Sequence, residues 1–260
     1  MQSFSSLCQP LSPVFLHPNN MPVRIGLVVL ATDMVVEVEW REIFAGLPIE
    51  ILVARIACAA EVTPKALFTM AHEIGHCASL ILPDVELDAI AYGCTSGSLV
   101  IGEEKVQQLL QQGNSEQITS NPFSAIKAAL AFIKAKHIVV LSPYLASVNE
   151  RFYKALDSEG YNIMAWGSLD LTLDKDIGSM NPEHLPKLIE ELLAGVDAVP
   201  DAVFISCTNF KAVAKLAELE QRYGCYFISS NQVMAWHLLH QLNISLPNIK
   251  AGRLFETPSI

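Results

Sequence analysis

The sequence is poor in basic residues, in charge of either sign and in cysteine. Its 260 residues hold 17 Lys and Arg against 27 Asp and Glu, which gives a formal net charge of −10. This composition lacks the positive footprint of a protein that binds nucleic acid or an anionic membrane. Charged residues make up 17% of the chain and hydrophobic residues 51%. The chain can therefore bury a sizeable core, and global disorder is excluded.

Long apolar runs are also missing. No apolar run reaches the roughly 18 residues that a membrane-spanning helix requires. The N-terminal segment has no basic region of the kind that begins a secretory signal. We therefore expect residues 1–21 to form a loose leader, and we expect a cytoplasmic protein with no membrane partner.

Cysteines are too few for a disulfide scaffold. No CxxC pair occurs, which argues against a zinc ribbon or a thioredoxin-like motif. Sparse cysteines favour free thiols in a reducing compartment. The six are Cys8, Cys58, Cys77, Cys94, Cys207 and Cys225.

The chain contains an internal duplication. Residues 88–95 read DAIAYGCT, and residues 201–208, which begin 113 positions later, read DAVFISCT. The same offset aligns RIGLVVL with HIVVLSP near the start of each half. A third pair, ITSNPFSAIKAAL and ISSNQVMAWHLL, begins at positions 118 and 228. Three matched segments in one order indicate a repeated unit.

Each half alternates short apolar, β-branched runs with amphipathic helical runs. This alternation predicts parallel sheets with helices on both faces. The predicted fold class is α/β, with two similar flavodoxin-like domains related by the duplication and an active site in the cleft between them. We expect the first half to span 22–118 and the second 119–230, with 231–260 packing back on the first.

Two helix boundaries follow from local signals. Thr63 and Pro64 predict a helix start, with threonine as the N-cap and proline at the first position. That helix should run to about Leu82, where Pro83 stops it. In the second half, a helix is predicted over residues 209–222.

Cys94 and Cys207 occupy matched positions where a strand turns into a helix. Ligands of such sheets bind beyond the carboxyl ends of the strands. A lone cysteine there is usually an apolar filler, but the duplication favours two thiols that face one cleft. Nearby helix N-termini should lower their pKa. The other cysteines are predicted to pack internally or lie at the surface.

An HExxH string, typical of zinc metalloproteases, occurs at residues 72–76. His72 and His76 fall opposite an apolar stripe that includes Ile74 and Cys77. The spacing therefore predicts a solvent-exposed helix face, and we assign no metal site. Zinc binding at His72 and His76 remains the alternative.

Six further residues are candidates for substrate binding because they carry polar groups near the predicted cleft. For each, an ordinary structural role stays open, as a helix N-cap or as a surface loop residue. The six are Asp33, Thr95, Ser96, Tyr144, Thr208 and Asn209.

Over about residues 22–255 the sequence resembles the aspartate/glutamate racemase superfamily, in its branch of maleate isomerases, arylmalonate decarboxylases and ectoine-utilisation proteins. The matching segments are RIGLVVLATD, DAIAYGCTSGSLVIG, VVLSPYLASVNERF, DAVFISCTNF and ISSNQVMAW. The resemblance implies two α/β domains, a site between them and no metal or organic cofactor. It also implies that Cys94 and Cys207 are catalytic thiols.

The resemblance further implies that Thr95, Ser96, Thr208 and Tyr144 bind the substrate carboxylate. Two positions depart from the maleate isomerase pattern. Those enzymes look to have asparagine at the positions that Asp33 and Ser98 occupy here. The strings LATD, GCTSGSLVIGE and DKDIG look more like the ectoine-utilisation group. Decarboxylases of this branch keep only the second cysteine, so two cysteines argue against simple decarboxylation.

The predicted function is a cofactor-independent isomerase or racemase of a small mono- or dicarboxylic acid, similar to maleate cis–trans isomerase. Alternatives are a racemase of amino acids or of an ectoine-degradation intermediate, and an arylmalonate-type decarboxylase. Alternatives of other classes are a zinc metalloprotease and a non-catalytic carboxylate-binding module. The predicted partners are a small carboxylate substrate and further copies of the chain in a homo-oligomer.

Overall fold

The computed structural model describes residues 11–17, 20–59, 63–112, 115–244 and 249–257, with only the backbone for 64–66. Cys8 and residues 1–10 and 18–19 of the predicted leader lie outside the described residues. Residues 11–17 are exposed and have no regular secondary structure. Within the described residues, no helix is long and apolar enough to cross a membrane.

Two four-stranded parallel sheets form the frame, in the orders β2-β1-β3-β4 and β6-β5-β7-β8. Ile25 pairs with Ala89 in the first sheet, and Ile138 pairs with Ala202 in the second. The register therefore repeats with the sequence offset, and the predicted α/β class is confirmed. The strands are β1 Val23–Leu30, β2 Ile49–Ile56, β3 Ala89–Gly93, β4 Ile118–Ser120, β5 His137–Ser142, β6 Asn162–Ser168, β7 Ala202–Ile205 and β8 Tyr226–Ser229.

Helices cover both faces of each sheet, and the strands between them are largely apolar and buried. Short 3₁₀ turns lie at Pro182–His184 and Arg253–Phe255. The helices are α1 Val36–Ile43, α2 Pro64–Thr69, α3 Ala71–Ser79, α4 Thr95–Ile101, α5 Glu103–Leu110, α6 Pro122–Phe132, α7 Ala146–Ser158, α8 Asp174–Gly178, α9 Leu185–Leu193, α10 Val213–Tyr223 and α11 Ser230–Gln241.

The single helix predicted from residue 63 to Leu82 is wrong in two respects. A turn at Met70 divides it into α2 and α3. It also ends at Ser79, because the N–H groups of Leu80 and Ile81 bond to carbonyls three residues back and tighten the last turn. Leu82 then adopts a φ of 46°, which no helix continues.

The helix predicted over 209–222 begins later, at Val213. Its first N–H groups are held by a side chain from the other half, because Glu39 Oε1 accepts from Ala212 and Val213. A helix start is set here by a tertiary capping contact, which the local sequence does not contain.

Helices α6 and α11 join the two halves. Phe123 of α6, which follows the first sheet, contacts Phe152 of α7 edge-on at 5.7 Å. Trp40 of α1 donates through Nε1 to the carbonyl of Asn231 in α11, which follows the second sheet. Helix α11 also packs against α6 and β4. A helix that follows each sheet therefore packs against the other half. These two contacts hold the carboxyl edges of the two sheets together.

Candidate active site

A small cavity lies where the carboxyl ends of strands from both halves meet. It is lined by Asp33, Cys94, Thr95, Ser96, Tyr144, Cys207 and Thr208, all of them predicted site residues. Its volume is about 20 Å³, which is room for about one water molecule.

Cys94 opens α4 and lies almost fully buried. Its Sγ accepts the N–H of Gly97 at 3.3 Å and lies 3.7 Å from Ser96 Oγ. The extended backbone of Cys94, with φ of −154°, ends the strand and turns the thiol toward the cavity. The strand-to-helix turn therefore positions this sulfur and supplies it with a donor.

Cys207 takes the equivalent position after β7, with a backbone φ of +100°. A non-glycine residue in this region costs on the order of 1–3 kcal/mol and persists only where neighbours enforce it. Here the Cys207 N–H donates to Ser230 Oγ at 3.0 Å, and the Thr95 hydroxyl donates to the same oxygen at 2.8 Å. Ser230 thus ties the turn after Cys94 to the turn that carries Cys207.

Both thiols have raised pKa values, whereas the sequence analysis predicted lowered ones. Burial raises the pKa of Cys94 to about 12, although hydrogen bonds from Gly97 and Ser96 act against it. Burial, and secondly the carboxylate of Asp174, raise the pKa of Cys207 well above its usual value. The prediction failed because desolvation outweighs the local donors. Burial therefore favours the protonated thiol at both positions.

A buried tyrosine accompanies each thiol. A hydrogen bond from Tyr144 lowers the pKa of Cys207 against the effect of burial, and Ser206 Oγ donates to Tyr144 Oη at 3.4 Å. Tyr92 Oη is buried without a hydrogen-bond partner. A β-carbon at Gly97 would lie 2.4 Å from this oxygen and 3.0 Å from Cys94 Sγ, so both atoms border the same small space. Sequence reasoning missed Tyr92, although it lies two residues before Cys94.

Two carboxyl groups also line the cavity. Asp33 Oδ1 accepts the N–H groups of Val35 and Val36 at 2.8 and 2.9 Å, so this residue both caps α1 and lines the site. Burial raises the pKa of Asp33 to about 6. Asp174, at the start of α8, accepts a short hydrogen bond from the Thr32 hydroxyl. Sequence reasoning did not single out Asp174; its only signal was its place in the DKDIG string.

Asn209 does not line the cavity, although it was predicted to bind substrate. Its Oδ1 accepts the N–H of Met34 at 2.8 Å, and its Nδ2 donates to the carbonyl of Asp174 at 2.8 Å. Both ends of the amide are occupied by backbone, so the residue fixes the β1–α1 turn against α8.

Cys58 lies at the cavity, although it was not predicted to be a site residue. It was predicted to be a packing or surface residue, but it lines the cavity, and its Sγ lies 3.3 Å from the Thr32 hydroxyl. Cys58 follows β2, and the fold places the end of β2 beside the end of β1. The internal repeat in the sequence does not reveal this neighbourhood. Cys77 and Cys225 are buried in the core, which agrees with their predicted role.

The HExxH string lies on α3, away from the cavity. His72, Glu73 and His76 are exposed, while Ile74 and Cys77 are buried, so the predicted solvent-exposed face is confirmed. In the part of the chain that the structure describes, no three His, Cys, Asp or Glu side chains gather at a metal-binding distance.

The duplicated α/β fold carries a buried cysteine at the same turn of each half, and both cysteines line one cavity. This arrangement is that of the aspartate/glutamate racemase superfamily. The chain belongs to the arylmalonate decarboxylase family, whose model matches residues 25–255. This result confirms the resemblance drawn from the sequence.

Relatives cover nearly the whole chain. Maleate isomerase of Nocardia farcinica is 24% identical over 247 residues, which cover 91% of this chain and 96% of that protein. Its solved structure as a cysteine-to-serine variant, with a covalently bound succinylcysteine intermediate, has a TM-score of 0.80 at 24% identity, over 91% of this chain and 99% of that one. Arylmalonate decarboxylase has a TM-score of 0.71 at 18% identity, over 90% and 99% of the respective chains.

Proposed function

We propose that this chain is a cofactor-independent isomerase of a small carboxylic acid, with Cys94 and Cys207 as its two catalytic thiols. One observation carries the proposal: two buried cysteines from equivalent turns line the same cavity. Packing alone does not require a strained backbone, yet Cys207 has a φ of +100°. The maleate isomerase relatives support this assignment, including the one whose structure carries a succinylcysteine.

Hydroxyl groups supply the donors for the substrate carboxylate. Thr95, Ser96, Thr208 and Tyr144 contribute side chains to the cavity wall. Hydroxyls that surround a buried oxyanion stabilise it more strongly than water does, because they are already oriented.

The cis–trans reaction needs one of the two thiols as a thiolate. That thiol first passes its proton to a carboxylate of the cavity wall, Asp33 or Asp174, and takes it back when the product leaves. The thiolate adds to one alkene carbon through its own electron pair, and the π pair moves onto the neighbouring carbon and its carboxylate. The former double bond rotates, the pair returns, and the S–C bond breaks to release the thiolate. Nothing is oxidised or reduced. The second thiol lies in the same cavity to hold or return a proton.

Proton transfer at an α-carbon, as in a racemase, is the second candidate. The two thiols favour it, because they come from equivalent turns of the two halves and line one cavity, and a racemase needs an acid or base on each face of the substrate. One thiolate takes the α-proton, the electron pair is held by the carboxylate as an enediolate, and the opposite thiol returns its proton.

Replacement of each thiol tests the proposal. With maleate, citraconate, aspartate and glutamate as substrates in D₂O, NMR follows isomerisation and deuterium uptake together. Cys94→Ser and Cys207→Ser should each lower turnover by about 100-fold or more, while Cys77→Ser, in the core, should retain it. Full turnover in both variants would refute the proposal. Retained carboxylate binding without any wild-type turnover would favour a non-catalytic binding module.

We further propose a cytoplasmic location and a homo-oligomeric state. The first rests on the free thiols at all five cysteines that the structure describes, which a reducing compartment preserves. The second remains a prediction, and light scattering of the purified protein tests it.

A further inference from the structure

The two halves differ at a pair of buried positions close to their cysteines. The 113-residue offset that matches the cysteines also places Ile205 opposite Tyr92 and Phe210 opposite Gly97. Tyr92 lies near the end of β3, and Gly97 lies in the first turn of α4. The first half therefore has a hydroxyl on the strand and no side chain on the helix, where the second half has two apolar side chains.

Gly97 makes room for the Tyr92 hydroxyl. A β-carbon at residue 97 would lie 2.4 Å from Tyr92 Oη and 3.1 Å from its Cζ, which is closer than carbon and oxygen atoms pack. Gly97 is not among the glycines with a positive φ, so its backbone does not demand glycine. Glycine inside a helix is less stable than alanine. The space taken by the hydroxyl is thus the physical reason for this glycine.

The Tyr92 hydroxyl lies beside the sulfur of Cys94. The same β-carbon would be 3.0 Å from Cys94 Sγ, so Oη and Sγ border one small space. Tyr92 is fully buried, and its hydroxyl makes no hydrogen bond of ordinary geometry to the neutral thiol. Buried polar groups are normally satisfied, and a thiol is a weak acceptor. The hydroxyl therefore lacks a good acceptor as long as Cys94 keeps its proton.

The hydroxyl itself keeps the proton that donation requires. Burial first, and then negative charge on Cys94 and Cys58, raise the pKa of Tyr92 well above its usual value. At neutral pH Tyr92 is therefore a phenol, which donates a hydrogen bond and adds no charge to the site.

The groups around Cys94 act on it in opposite directions. Burial is the largest effect and raises the pKa of Cys94 to about 12, and the carboxylate of Asp174 on α8 acts in the same direction. Hydrogen bonds from Gly97, Ser96 and Tyr92 lower this pKa. The first two donors belong to the turn that begins α4, whereas Tyr92 belongs to the strand. Its hydroxyl can therefore be removed without altering the start of the helix.

We propose that Tyr92 is a positioning residue for Cys94, whose hydroxyl donates to the sulfur when Cys94 is a thiolate, and that Gly97 gives this hydroxyl its place. The Cys94 proton leaves to a cavity carboxylate, the Tyr92 O–H bond stays intact, and its hydrogen turns toward the negative sulfur. A charge-assisted hydrogen bond of this kind is stronger than a neutral one. Cys207 has Ile205 at the matching position and takes its tyrosine hydrogen bond from Tyr144 instead. The inference rests on the proposed function, since it assigns Cys94 a thiolate state.

Site-resolved alkylation tests this role without a substrate. Iodoacetamide reacts with the thiolate form of cysteine, and mass spectrometry of the peptides gives separate rates for Cys94 and Cys207 in the same molecules across a series of pH values. Tyr92→Phe should slow alkylation of Cys94 by about 10-fold or more and move its pH dependence upward. The rate at Cys207 should stay unchanged, because the hydroxyl does not serve that sulfur.

An exposed tyrosine provides the matched control. Tyr153→Phe, on α7 with 45% of the residue exposed, should change neither rate. Unchanged alkylation of Cys94 in Tyr92→Phe would overturn the proposal. Equal slowing at both cysteines would also overturn it, because a general change of packing affects both thiols.

A double-mutant cycle tests the place of Gly97. Phenylalanine lacks the oxygen that a new β-carbon would meet at 2.4 Å. Gly97→Ala should therefore cost less stability in the Tyr92→Phe background than in the wild type, as measured by urea denaturation. Additive costs would show that this glycine is not reserved for the hydroxyl.

The positioning role and the two-thiol function fail separately. If Cys94→Ser and Cys207→Ser abolish turnover but Tyr92→Phe leaves Cys94 alkylation unchanged, the two-thiol function stands and the role of Tyr92 is wrong. If Tyr92→Phe slows alkylation of Cys94 alone but both serine variants keep full turnover, the contact stands and the two-thiol function is wrong.

Discussion

The carboxylate of Glu39 on α1 accepts the N–H of Val213 at the start of α10, over 2.9 Å. The same side chain accepts from Ala212 at 2.7 Å and from Asn231 Nδ2 at 2.7 Å. Glu39 belongs to the first half, and its partners follow strands β7 and β8 of the second sheet. One buried carboxyl group therefore joins both halves, and its protonation state bears on how firmly they hold together.

Stability should fall as pH rises through the range where Glu39 differs between folded and unfolded chains. Burial raises its pKa from 4.5 to about 7. Between these values the folded protein keeps a proton that the unfolded chain has lost. The contribution to stability is therefore full below pH 4.5 and is lost by about pH 7. It amounts to at most about 3 kcal/mol. Urea denaturation at a series of pH values measures it.

Glu39→Gln should flatten this dependence, because the amide keeps an acceptor oxygen but cannot ionise. Asp33, whose pKa is raised to about 6, leaves a smaller slope of the same sign below pH 6. Glu104→Gln, at an exposed position of α5, should retain the full wild-type slope. An unchanged slope in Glu39→Gln would show that this carboxyl group is not the source.

Gly97→Ala should abolish activity while the protein remains folded. The new β-carbon would lie 2.4 Å from Tyr92 Oη and 3.0 Å from Cys94 Sγ. Tyr92 is fully buried and cannot retreat, so the thiol and the start of α4 must shift. We expect at least a 100-fold loss of kcat, since small displacements of reacting groups have effects of this size.

A second glycine provides the control for that substitution. A β-carbon at Gly195 would meet nothing within 4 Å, so Gly195→Ala should leave kcat unchanged. Circular dichroism confirms folding of both variants. Wild-type kcat in Gly97→Ala would show that Cys94 does not need its present position.

Tyr92→Phe should slow the reaction without weakening the fold. The Tyr92 hydroxyl makes no hydrogen bond of ordinary geometry to the neutral thiol, yet it lowers the pKa of Cys94 against the effect of burial, and it would donate to Cys94 as a thiolate. Its removal should lower kcat by about 10-fold and move the rising limb of the rate profile, which reports ionisation of Cys94, to higher pH. Loss of an unsatisfied buried hydroxyl should leave the free energy of unfolding unchanged or about 1 kcal/mol higher. Reduced stability with an unaltered pH profile would instead indicate a structural role.

Ser230→Ala should uncouple the two cysteine turns. Its hydroxyl accepts from Cys207 N–H and from Thr95 Oγ1, and the variant leaves both donors buried without an acceptor. We expect a stability loss of about 1–3 kcal/mol and a lower kcat, because the strained Cys207 backbone loses its main restraint. Thermal denaturation and steady-state kinetics measure the two effects. Ser179→Ala, which removes an exposed local hydrogen bond, should change neither.

The two sheets could be predicted from the sequence, but only part of the candidate site could. The repeat and the alternation of strand and helix predicted both sheets, because the spacing of apolar residues follows from backbone geometry. The repeat also singled out Cys94 and Cys207. Cys58 and Asp174 were missed because each reaches the cavity only when separate segments are brought together, which no local pattern records.

The thiol pKa values also depend on features that the local sequence does not contain. A helix start beside a cysteine is visible in sequence and predicts a lowered thiol pKa. The closed packing around Cys94 and Cys207 reverses that direction, because desolvation depends on every element that covers the sulfur. Likewise, Asn209 carries the chemistry of a substrate ligand, yet its amide is taken up by Met34 and Asp174 from distant segments.

The sequence by itself determined the α/β class, the duplication, the matched cysteine pair and the exposed face of the HExxH helix. Each of these depends on residue order and on the fixed geometry of helices and strands. Only the tertiary structure decided which side chains share the cavity, and that burial there raises the pKa of both thiols. Burial and hydrogen bonding between distant segments set those properties, and they exist only after the two halves have packed together.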